Sequence, residues 1–137
     1  MSTKLTGLFL DDERFPEQVK WVEYPDNIDW IRCCTPYDFT EMICLDYFNI
    51  GEELGIRWHT KYQFDYYTFD HDLQFFVDDR EGITQEITGY DCLKALCEAI
   101  QRGIVKMPKK VFFHSMNPCG RENMEAYWIS FLKCGMH

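Results

Sequence analysis

Three hydrophobic runs in this chain stop abruptly at residues that can do chemistry. LTGLFL (5–10) runs into Asp11-Asp12-Glu13-Arg14, DYYTF (65–69) into Asp70-His71-Asp72, and KKVFF (109–113) into His114-Ser115, with Asn117 just beyond. Brought together, Asp11, Asp12 and Asp70 would repel one another. Like charges in close contact raise the pKa of at least one member unless a cation neutralises them. Mg²⁺ suits such an oxygen-only set, which also leaves room for waters and a phosphate. Alone, Asp11-Asp12 reads as a solvated strand exit. The recurrence of polar clusters after several separate runs is what suggests a site.

His71 and His114 can take up and release protons near neutral pH, and a pair facing one phosphate would suit acid–base hydrolysis of a phosphodiester. Either could equally be a packed or surface residue. Strand alternation adds a constraint: Asp70 and Asp72 share a face and His71 points the other way, unless the strand has already ended. Ser115 and Asn117 can hydrogen-bond phosphate oxygens. Arg121, at the start of a helix, can clamp an anion beside free N–H groups. Helix capping by Ser115 or Asn117 and a solvated Arg121 is the alternative. Thr88 opens another helix and can cap it or touch the ligand. His59 and His137 have no such context.

The elements that must carry these residues alternate. Short strands are expected over 5–12, 29–35, 65–70 and 109–115. Helices are expected over 35–50, where Thr35 caps and Pro36 takes the first position, over 88–104, where Gly103 fits the C-terminal end, and over 117–134. The segment 13–27 holds two prolines and reads mainly as a loop. The segment 51–64 is an irregular connection, and 71–87 is a long loop with room for a hairpin around 79–82. The order β-β-α-β-α-β-α implies a parallel sheet covered by helices. Right-handed crossovers then bring all strand C-terminal ends to one edge, where ligands bind.

The 137 residues, 46% hydrophobic and 17% aromatic, fit one domain over 1–137 and exclude a disordered chain. No apolar run is long enough to span a bilayer, and the N-terminus lacks a signal-peptide pattern. A formal charge of −9 argues against duplex nucleic acid, which needs a basic face. It leaves open a small phosphorylated ligand or an RNA end. Seven cysteines with no Cys-x-x-Cys spacing suggest neither a disulfide framework nor a zinc knuckle, and Cys92 and Cys97 read as core residues. A reducing, cytoplasmic setting is the expectation.

The motifs LFLDDERFP (8–16), FDHDL (69–73), TGYDCLKAL (88–96) and HSMNPCGRENM (114–124) resemble, in order and spacing, those of the cyclic-phosphate-processing receiver-like family. The resemblance implies a receiver-like (flavodoxin-like) α/β three-layer sandwich with a mostly parallel four-stranded sheet. In receivers, two acids after the first strand and one after the third bind Mg²⁺, which would be Asp11, Asp12 and Asp70. The receiver Ser/Thr would be Ser115. The first receiver helix is replaced by the loop 13–27, and the fifth strand with its lysine is missing, which argues against signalling by phosphotransfer.

A metal-dependent phosphoesterase acting on cyclic phosphates of nucleotides or RNA ends is the leading expectation. In it Asp11, Asp12 and Asp70 hold Mg²⁺, and His71 and His114 act as acid and base with Asp72 orienting one of them. Ser115, Asn117, Arg121 and Thr88 would bind phosphate. One rival is a non-catalytic module that sequesters a phosphorylated nucleotide. The other is a protein-binding partner in phage or bacterial conflict, using the aromatics Trp58, Tyr62, Phe64, Phe75 and Phe76.

Overall fold

The computed structural model describes residues 5–43 and 63–134. Helix expected over 44–50, the connection over 51–62, and Cys44, Trp58, His59, Tyr62 and His137 lie outside the described residues. Within them the elements run β1 (Leu5–Leu10), a short 3₁₀ turn (Pro16–Gln18), β2 (Ile28–Cys33), α1 (Pro36–Ile43), β3 (Tyr66–Phe69), β4 (Phe75–Asp78), β5 (Thr84–Ile87), α2 (Gly89–Gln101), β6 (Lys110–Phe113) and α3 (Pro118–Cys134). The main sheet is all parallel, in the order β2-β1-β3-β6, while β4 and β5 form a separate antiparallel hairpin. This is the receiver-like α/β fold expected from the motifs, with four parallel strands and three helices among the described residues. No helix among them is long and apolar enough to cross a membrane.

Chain order and handedness explain the layers. From β1 the chain steps outward to β2, then reverses past β1 to reach β3 and β6. A right-handed crossover in one direction lies on one face, and crossovers in the other direction lie on the opposite face. α1 and α2, on the two crossovers that run in one direction, accordingly share a face and pack together, and α3, which follows the last strand, packs beside α2. The strands present Leu8, Leu10, Tyr67, Phe69 and Val111 to them in one core, and Phe39 of α1 sits on Tyr67 and Phe69. Each such buried side chain stabilises the fold by about 1.5–3 kcal/mol. An exposed helix pair such as Arg102–Glu98 contributes about 0.3–0.5 kcal/mol, so the core and not the surface charge holds the scaffold.

The alternate strand residues, Phe9, Trp30, Thr68 and Phe112, face the other way. Among the described residues no helix covers them. The 11–27 connection does, with Tyr24 edge-on to Trp30 and Phe112 and hydrogen-bonded to Thr68. The first receiver helix is thus replaced by a loop whose only regular piece is Pro16–Gln18.

Several expected boundaries shift. β1 stops at Leu10 because the Asp11 carboxylate takes the backbone N–H groups of Glu13 and Arg14 and turns the chain. β3 stops at Phe69, where Asp70 Oδ1 takes the N–H of His71. The long loop 71–87 contains the β4–β5 hairpin, closed by Asp79, whose carboxylate takes the N–H groups of Glu81 and Ile83. Phe64, expected among exposed aromatics, is fully buried, and Phe75 packs against the core, leaving Phe76 exposed.

Two glycines let the helix starts close on the β3 end. A Cβ at Gly89, the first residue of α2, would lie 1.7 Å from the Asp70 carbonyl oxygen. A Cβ at Gly120 would lie 2.4 Å from the His71 ring. Backbone cannot yield locally as a flexible side-chain tip can, so Gly89→Ala is expected to destabilise the protein by at least about 1–3 kcal/mol in denaturant titrations. An unchanged midpoint would show that the α2 start does not press on Asp70.

Candidate functional site

The site lies where the chain reverses, at the C-terminal ends of the neighbouring strands β1 and β3, with β6 beside them. Register aligns Leu10 with Phe69, and Phe69 with Phe113. The next residue of each strand is then Asp11, Asp70 and His114. Their backbone N–H groups bond the preceding row: Asp11 to the Cys33 carbonyl, Asp70 to Leu10 and His114 to Phe69. Adjacent strands run about 4.8 Å apart, so these side chains must meet.

Asp11, Asp12 and Asp70 each offer a carboxylate oxygen within 4.8 Å of the others. Asp11 is fully buried and heavily bonded. Its Oδ1 accepts from the Glu13 and Arg14 backbone at 2.8 and 2.9 Å, and its Oδ2 accepts from His114 Nε2 at 3.0 Å, with Arg14 Nη1 at 3.5 Å. Burial pushes its pKa up, but the hydrogen bonds from His114 and the two N–H groups win, and it falls below the usual carboxylate range. Asp70 has one hydrogen bond, from the His71 N–H, and the charge of Arg14 to help it. Burial, then the charge of Asp11, push it up to about 6. Burial, with the charges of Glu13 and Asp11, also raises Asp12. A cluster of this kind, all oxygen and partly destabilised by its own charge, could hold a hard divalent metal ion.

The expected histidines separate. His114 is fully buried, stacked on Phe9 at 4.6 Å, and both ring nitrogens are bonded, Nε2 to Asp11 and Nδ1 to Thr68 Oγ1 at 2.8 Å. It supports the acid cluster from beneath and is not brought to the open side. His71 leaves the strand and lies against Gly120, with Nδ1 2.8 Å from Asp72 Oδ1. Asp72 is held on its other side by Asn117 Nδ2, 3.1 Å from Oδ2. Among the described residues no group bonds His71 Nε2. The alternation problem is thus resolved: the strand has ended at Phe69, so Asp70 can join Asp11 and Asp12 while His71 and Asp72 bond each other.

A cleft of about 290 Å³ opens above the cluster, lined by Glu13, Arg14, Asp70, Asp72, Gln74, Ser115, Met116 and Asn117. Ser115 and Asn117 are in it. They also shape the α3 start, since Ser115 Oγ accepts from the Asn117 N–H and Asn117 Oδ1 from the Gly120 N–H. Arg121 lines the adjoining groove with Trp21 and approaches the Ser115 carbonyl at 3.5 Å. Thr88 caps α2, accepting from the Tyr90 N–H and lying 3.4 Å from Asp91. Sequence reasoning missed Arg14, although it stands in the quoted acidic motif and is the cation nearest Asp11. It also missed Thr68, whose signal was its strand position two residues before Asp70.

The family model described as the cyclic-phosphate processing receiver domain matches residues 6–130, which includes every residue of the cluster and cleft. No curated protein and no solved structure matches the chain.

The raised pKa of Asp70 makes a pH-dependent prediction. Between about pH 4 and 6 the folded protein holds this proton more tightly than the unfolded chain does. Metal-free stability attributable to Asp70 therefore falls as pH rises through that window, by up to about 3 kcal/mol. Asp11 acts in the opposite sense, adding stability that is lost as pH falls through its lowered folded value. Without divalent metal, Asp70→Asn should melt higher than wild type at pH 7.5, and the difference should shrink towards pH 4. Added Mg²⁺ should raise the wild-type melting temperature more than that of Asp70→Asn. A difference independent of pH and of Mg²⁺ would contradict this electrostatic account.

Proposed function

The chain belongs to the cyclic-phosphate processing receiver family, and from that premise we propose that it is a metal-dependent phosphoesterase acting on cyclic phosphates of nucleotides or RNA ends. The observation that carries the reading is the convergence of Asp11, Asp12 and Asp70 beneath a polar cleft. The donor set fits Mg²⁺, which when bound would withdraw charge from phosphate oxygens and acidify a water. Asp11, Asp12 and Asp70 are the residues that would hold it.

The chain's own groups do the rest. Ser115, Asn117 and Arg14 stand around the cleft where phosphate oxygens would lie. Asp72 accepts the Nδ1 proton of His71 and fixes the ring, leaving Nε2 as a base. Nε2 takes a proton from the attacking water as the new oxygen–phosphorus bond forms. The bond from phosphorus to one ribose oxygen breaks, and that oxygen is protonated from solvent, leaving a monoester. His114 has no place in these transfers and instead orients Asp11. Arg121 and Thr88, offset from the cleft, serve the adjoining groove and the α2 cap.

A binding module that keeps its ligand intact shares the same residues. The burial of His114 favours it, because ring opening by paired acid and base would use two histidines and only His71, joined to the cleft through Asp72, is left for the task.

Incubation with a 2′,3′-cyclic nucleotide and Mg²⁺ should release a monoester. His71→Ala should slow turnover about 10²–10⁴-fold with the cation site kept, as expected for loss of a general base. Tight binding by calorimetry with the nucleotide recovered intact would establish the binding module instead, and unchanged turnover in His71→Ala would remove that residue from the mechanism.

A further inference from the structure

We infer that Thr68 and Tyr24 are positioning residues for the acid cluster, the outer members of a directed hydrogen-bond chain running Tyr24 to Thr68 to His114 to Asp11. The links are 2.7 Å from the Tyr24 hydroxyl to Thr68 Oγ1, 2.8 Å from Thr68 Oγ1 to His114 Nδ1, and 3.0 Å from His114 Nε2 to Asp11 Oδ2. The inference rests on the cation-site reading above.

The chemistry of the four groups fixes the direction of every bond. Asp11 is an ionised carboxylate and only accepts, so His114 Nε2 carries a proton. His114 is fully buried between Asp11 and Thr68 and stacked on Phe9, and a ring that carries its one proton on Nε2 keeps a lone pair on Nδ1. Nδ1 therefore accepts from the Thr68 hydroxyl. Having spent its proton, Thr68 Oγ1 must accept from the Tyr24 hydroxyl, a phenol whose pKa burial pushes upward and which stays protonated. With the ring neutral, no other arrangement satisfies all four groups.

The consequence concerns the carboxylate. With two backbone N–H groups on Oδ1 and His114 on Oδ2, Asp11 cannot rotate freely, and Oδ2 keeps one lone pair, which Arg14 Nη1 approaches only at 3.5 Å. The neutral tautomer also adds no positive charge beneath the cation site. Outer partners of this kind orient the groups that touch a metal, and their loss typically costs 10–100-fold in metal affinity. The chain also ties the site to the 11–27 loop twice, since Trp21 Nε1 donates to the His114 carbonyl at 2.8 Å.

Nitrogen-15 NMR of the metal-free protein should show one histidine with Nε2 protonated and Nδ1 bare, assigned to His114 by its absence in His114→Asn. Thr68→Val should weaken Mg²⁺ binding about 10–100-fold by calorimetry and disturb the His114 ring signals, and Thr68→Ser should restore both. Tyr24→Phe, at the loop end, removes only the last link and should shift the same signals with a smaller loss, so the test survives a misfolded Thr68→Val. A proton on Nδ1, Mg²⁺ affinity unchanged in Thr68→Val, or a wild type that binds no Mg²⁺ would overturn the inference. None of these readouts uses a nucleotide, so absent turnover with the chain and its Mg²⁺ dependence intact would count against the phosphoesterase reading alone.

Discussion

Asp11, Asp12 and Asp70 are held close together against the mutual repulsion of their carboxylates. The parallel register of β1 and β3 leaves Asp11 and Asp70 as nearest neighbours in the row above the last paired residues. The fold pays for this unevenly. Asp11 is stabilised as an anion by bonds at both oxygens, whereas Asp70 bears most of the cost and is pushed up to about 6. A cluster arranged that way is prepared for a cation, because the charge that makes Asp70 unfavourable in the bare protein is the charge a divalent ion would meet.

Everything around the cluster keeps it in place. On the helix face, Gly89 and Gly120 allow the starts of α2 and α3 to press on Asp70 and His71, so the β3 end has no room to relax. On the other face, the 11–27 loop does what a helix would do. Trp21 and Tyr24 reach across to the His114 carbonyl and to Thr68, and so stiffen the underside of the acid cluster. The two faces have divided the work: apolar packing holds the sheet, and a polar chain holds the chemistry.

Much of this was legible in the sequence because polar residues end hydrophobic runs sharply. Asp11, Asp12 and Asp70 were identifiable from that pattern and from the parallel topology that alternation implies. The division of labour between the histidines was not. The Asp11–His114 pair spans 103 residues, and its formation depends on the mutual register of β1, β3 and β6, which local pattern does not encode. Thr68 looks like any strand threonine until its partner is seen. Tyr24 and Trp21 lie in a segment without periodicity. The β4–β5 hairpin was only suspected because Thr84, Gln85 and Glu86 are exposed and give no apolar alternation. The expectation of two histidines at one phosphate failed to allow for a buried histidine whose lone pairs and protons are already used.

If Asp11, Asp12 and Asp70 form one cation site, a metal ion binds among them where Asp70 meets the cleft. A crystal grown with Mn²⁺ and inorganic phosphate tests it most directly, because anomalous scattering locates the metal without assumption. One strong peak is expected within coordination distance of all three carboxylates, with phosphate density above it towards Ser115 and Asn117. No peak there, or a metal bound elsewhere with the three carboxylates bare, would contradict it.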